Sequence, residues 1–64
     1  MFAVEARIFD NGNIYAFVRP SYDGETDSYI EDVYCDIYIT IFDDRIDAYN
    51  YCNDYQNAWL FMEV

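Results

Sequence analysis

The side chains able to do chemistry in this chain are carboxylates and tyrosines. The 64 residues hold thirteen Asp and Glu, three Arg, no Lys and no His, giving a formal net charge of −10. Ser21 and Ser28 have no base to activate them, and neither Cys35 nor Cys52 has a His partner. Paired carboxylates can perform acid–base work, but with thirteen acids chance pairs are unavoidable. A domain this size hardly encloses a pocket that shifts their pKa. The chain therefore reads as a non-enzyme without a cofactor. The two cysteines cannot complete a zinc site without His. They read as free thiols of a reducing compartment, with a Cys35–Cys52 bridge as the alternative.

Metal binding is the next chemistry to weigh. Asp23, Glu25, Asp27, Tyr29 and Glu31 fall on alternate positions, as ligands do in a calcium loop of the EF-hand type. Ser28 then stands at the sixth position, where Gly makes the sharp turn, and Tyr34 stands at the twelfth, where a bidentate Glu belongs. The segment reads as a solvated acidic loop.

Several elements must position these groups. Phe2 to Phe9 alternates, with Phe2, Val4, Ala6 and Ile8 on one side, which is the period of a half-buried strand. The Asn-Gly of Asp10-Asn11-Gly12-Asn13 is a hairpin signal, and Ile14 to Arg19 is the return strand, stopped by Pro20. Residues 21–32 are polar and acidic and read as a loop. Ser28 with Glu31 three residues on also resembles a capping box, so a short helix is the competing expectation there. Val33 to Phe42 is a strand whose Val33, Cys35, Ile37, Ile39 and Ile41 share a face. Asp43 and Asp44 stand where a helix starts, capping free amides and the positive dipole end. From Arg45 to about Gln56, Ala48, Tyr51, Cys52 and Tyr55 recur at helical spacing. Trp59 to Val64 is apolar enough for a final strand. The expectation is one α+β domain, residues 1–64: an antiparallel sheet of about four strands with one helix on a face.

Charge and hydrophobicity together bound the function. With 55% of residues hydrophobic and 22% aromatic, the composition is that of a folded domain, not a disordered acidic tail. No basic N-terminal region precedes an apolar core, and no uncharged stretch reaches membrane-spanning length. Anionic headgroups would repel this surface, so neither membrane nor nucleic acid is an expected partner. Ten of the thirteen acids lie between Asp23 and Asp54, opposed there only by Arg45. The first hairpin is nearly balanced, Glu5 and Asp10 against Arg7 and Arg19. Alternate residues on a strand sit roughly 7 Å apart, comparable with neighbouring phosphates of a nucleic-acid strand. Solubility alone asks less charge of a small domain.

Eight Tyr are more than a small core holds, so several reach the surface, where aromatic side chains anchor interfaces. The expected partner-binding residues are Asp23, Glu25, Asp27, Tyr29, Glu31, Asp32, Tyr34, Asp36, Tyr38, Asp43, Asp44, Asp47 and Asp54.

In size, charge and Tyr content the chain resembles the small acidic DNA-mimic inhibitors of phages and mobile elements: anti-CRISPR proteins, anti-restriction proteins and uracil-DNA glycosylase inhibitors. Phe9-Asp10-Asn11-Gly12 followed by Tyr15 to Val18 resembles the early strand-turn-strand of ArdA-like anti-restriction proteins, with Ala16 and Val18 where Gly and Trp are expected. The resemblance implies occlusion of the DNA-binding cleft of a host defence complex. An anti-CRISPR protein is the first subtype and an anti-restriction protein the second. The implied partner is a cationic DNA-binding host protein, a CRISPR-Cas effector or a restriction enzyme, met in the host cytoplasm. The alternative is a small structural or assembly module forming a homodimer through exposed Tyr and Trp59.

Overall fold

The computed structural model describes the backbone of residues 1–63 and the side chains of residues 1–55. Its elements are β1 (Phe2–Phe9), β2 (Ile14–Pro20), β3 (Ser28–Glu31), β4 (Cys35–Phe42) and α1 (Arg45–Glu63). The strands form one antiparallel sheet in the order β2-β1-β4-β3. The architecture is therefore α+β, as the alternation and the helical stripe lead one to expect.

The first hairpin closes where the Asn-Gly pair sits. Gly12 takes a φ of 91°, a left-handed conformation that residues with a Cβ rarely adopt. Its N–H donates to the Phe9 carbonyl at 2.9 Å, and the Asn13 N–H donates to Asn11 Oδ1 at 3.0 Å. Strand β1 then lies between β2 and β4, with Ala6 opposite both Ala16 and Tyr38. Central position explains why Ala3, Val4, Glu5 and Ala6 are all buried in succession instead of alternating.

Each face of the sheet carries its own core. On one, Val4, Ala6 and Ala16 meet Ala48 and Cys52 of α1, with Phe2, Val18, Phe42, Tyr51 and Tyr55 packed around them. Small residues at the crossing let the helix seat close to the sheet. On the other, Ala3, Cys35, Ile37 and Ile39 cluster with Phe9 and Ile41. Helix α1 lies over β2 and β1, touches β4, and among the described residues does not reach β3. The helix-side faces of β3 and part of β4 are left beside it.

Several expectations are corrected. The loop ends at Asp27, and Ser28–Glu31 is a strand, neither loop nor helix, because β4 offers it a ladder: Tyr29 pairs with Tyr38 and Ile30 with Ile37. Strand β4 begins at Cys35 and not Val33, since residues 32–34 make the turn, closed by the Asp32 N–H on the Cys35 carbonyl at 2.9 Å. The final strand does not form. Residues 59–63 continue α1, because neither Gly nor Pro interrupts the chain after Gly24. Val64 lies outside the described residues. Cys35 and Cys52 are free and buried, and they belong to opposite faces of the sheet, which separates them by the sheet itself.

Candidate anionic interface

The ionic architecture begins with a buried carboxylate. Glu5 is only 8% exposed, on the sheet face away from the helix. Its Oε2 accepts from Arg7 at 2.7 Å and its Oε1 from Arg19 Nε at 3.2 Å. Arg19 extends the chain to Glu25, with Nη1 on Oε1 at 2.9 Å and Nη2 on Oε2 at 2.6 Å, a bidentate fork. The guanidinium also lies 4.6 Å from the Tyr22 ring centroid. Hydrogen bonds from Arg19, then from the Tyr22 amide at 3.0 Å, hold the Glu25 carboxyl down at about 2. Both arginines are held protonated, Arg19 by Glu25 foremost and Arg7 by Glu5.

This network gives Glu25 a structural role. It pins the 21–27 strap to the sheet, with both carboxylate oxygens bonded to Arg19. The consequence for the rest of the surface is larger. Arg7 and Arg19 are spent on Glu5 and Glu25, and Arg45 makes no ion pair among the described residues. The full net charge of −10 therefore falls on the remaining eleven acids and Arg45.

Those acids do not form one face. Strand ends place Asp23, Asp27, Asp43 and Asp44 at the edge of the sheet where β2 and β4 finish and β3 begins. Asp10, Glu31, Asp32 and Asp36 lie at the opposite edge, where the two hairpin turns meet and the Asp10 N–H donates to the Tyr34 carbonyl at 3.3 Å. An eight-residue strand separates the two groups by roughly 25 Å. Asp47 and Asp54 are exposed on α1, on the flank shared with Tyr51 by helical spacing.

Three of these carboxylates are fixed. Asp44 Oδ1 accepts the Ile46 N–H at 2.9 Å as the helix N-cap. Asp27 Oδ1 accepts the Ile41 N–H at 2.7 Å, extending the ladder past β3. Asp36 Oδ1 accepts the Tyr29 hydroxyl at 3.0 Å, which pushes the Tyr29 phenol up to about 12.

Aromatic rings run beside them. Tyr29 and Tyr38 pair across β3 and β4 with centroids 4.9 Å apart. Phe42 and Tyr51 stand 5.2 Å apart, Tyr51 and Tyr55 5.3 Å apart with their hydroxyls at 3.3 Å. That bond raises the Tyr55 phenol to about 12, with burial and the neighbouring Tyr51 and Tyr38 adding to it. Tyr51 and Tyr55 sit on the site by way of the helix stripe, a link that residue-by-residue reading of the strands does not reveal. Tyr34, in the turn between β3 and β4, is 74% exposed.

No family model, no curated protein and no solved structure matches this chain.

Proposed function

We propose that this protein is an inhibitor that presents nucleic-acid-like charge to the cationic DNA-binding site of a host defence complex. The first candidate target is a CRISPR-Cas effector and the second a restriction enzyme. The observation that carries the reading is the allocation of arginines: two of three are consumed by Glu5 and Glu25, so the outer surface carries acid with Arg45 alone against it. Fixed carboxylates support it further. Asp27, Asp36 and Asp44 are oriented by hydrogen bonds that also serve the fold, which lowers the ordering cost of meeting a partner. A rigid anionic body releases counterions from a cationic cleft as DNA does.

The test is displacement of labelled DNA from a purified effector or restriction enzyme. The protein should displace it, and neutralising Asp32, Asp36, Asp43, Asp44 and Asp47 together should abolish displacement. Unchanged displacement by that variant would contradict the reading.

A second reading rests on the flank of α1 over β2. Tyr15, Phe17, Val18, Tyr49, Cys52 and Asn53 line a cavity of about 350 Å³ there, with no carboxylate among them. Self-association through this uncharged side is the alternative function; the Trp59 side chain invoked for it lies outside the described residues. Sedimentation distinguishes the two, because added salt screens repulsion between copies but weakens docking on a cationic partner.

A further inference from the structure

The Arg19 site shows what this chain does with a guanidinium: it stacks the group on a tyrosine and grips its N–H edge with two carboxylates, Glu5 of β1 and Glu25 of the 21–27 strap. The same residue types recur, without an arginine, on the helix-side face of β3 and β4. There Tyr29 lies directly opposite Tyr38, and Glu31 directly opposite Asp36. Two carboxylates facing each other across a ladder repel and weaken the pairing, and neither has an ion-pair partner among the described residues. The repulsion falls on a four-residue edge strand that is exposed throughout. Tyr29 and Tyr38 are 52% and 39% exposed, so their rings are open to a planar cation. The Tyr29 hydroxyl on Asp36 fixes one carboxylate beside the rings.

We propose that this face, Tyr29, Glu31, Asp36 and Tyr38, is a docking site for an arginine side chain of the protein partner, the guanidinium stacking on the tyrosines and bridging Glu31 and Asp36. The assignment rests on the inhibitor reading for its biological partner, and charge complementarity selects the occupant: a second copy brings a net charge of −10, and its one arginine outside the ion pairs, Arg45, stands among Asp43, Asp44 and Asp47. Arginine is chosen over lysine because its planar fork serves two carboxylates and an aromatic face together.

Hexa-arginine and hexa-lysine peptides are the probes, with affinity read by fluorescence anisotropy and position by tyrosine ring resonances in NMR. Hexa-arginine should bind about fivefold tighter than hexa-lysine and shift the Tyr29 and Tyr38 rings. E31Q/D36N should weaken hexa-arginine about tenfold, and Y38L should reduce it to the hexa-lysine level. D23N/D43N, with the same charge change at the other end of the sheet, should cost less than about threefold. E31Q/D36N should melt no lower than the parent, because it removes a repulsion. Equal affinity for the two peptides, or equal losses in both double variants, would overturn the site. Failure of the wild-type protein to displace DNA, with arginine preference intact, overturns only the inhibitor reading. Displacement unaffected by E31Q/D36N overturns only the site.

Discussion

At the residue scale, Glu5 is the side chain on which the ionic order turns. It stands at the centre of the sheet and receives both arginines of the first hairpin. Glu5→Gln should cost about 2 kcal/mol in denaturant unfolding, since it leaves Arg19 near-buried with half its carboxylate shell. An unchanged midpoint would show the pair to be a surface ornament. Nothing in the sequence announces this role. Glu5 sits in an alternating strand beside Arg7, which reads as a solvated polar face, and the partner Glu25 lies six residues beyond Arg19 in an acidic loop. Long-range ion pairs depend on which loop folds over which strand, so charge counting alone does not reveal that Glu25 is paired with Arg19. Asp44 is the opposite case. Its N-cap role follows from position alone, and Asp44→Ala should destabilise the protein by about 1 kcal/mol, checked by the loss of helical circular dichroism on heating.

At the element scale, β1, β2 and β4 declare themselves by alternation and by the Asn-Gly turn. Strand β3 does not, because its four residues are exposed on both faces and so carry no apolar period. It exists by pairing with β4 and by the Asp27 carboxylate on the Ile41 N–H. Asp27→Ala should therefore raise hydrogen exchange at Ile41 and through β3 about tenfold while leaving β1 protected; uniform exchange across the sheet would refute that dependence. The length of α1 was hidden for a different reason. An apolar run such as Trp59 to Met62 fits a strand or a helix equally, and only the lack of Gly or Pro after Gly24 favours continuation. Where helix meets sheet, Ala48 is fully buried against Val4, Ala6, Ala16 and Cys52. Ala48→Leu has no room and should cost about 1–3 kcal/mol, read from the denaturation midpoint.

At the scale of the whole molecule, self-repulsion opposes compaction and pH tunes it. As pH falls from 7 toward the isoelectric point near 4.1, carboxylates protonate and repulsion declines. Glu25 acts the other way. Its carboxyl is depressed from 4.5 to about 2, so the stability it contributes is complete above 4.5 and is lost as pH falls through about 2. The melting temperature should rise from pH 7 to about 4.5 and fall below about pH 3; a monotonic decline from neutrality would show that repulsion is negligible. Two anionic ends roughly 25 Å apart also mean that a partner engages one end or spans both, a geometry invisible in a linear list of acids.

The most direct measurement is the affinity of this protein for a DNA-binding effector as a function of salt, taken with and without the effector's DNA. Docking of carboxylates in the DNA site predicts binding that weakens steeply and linearly in log salt concentration and that bound DNA abolishes. Binding that is indifferent to salt, or that persists on the DNA-loaded effector, would contradict it.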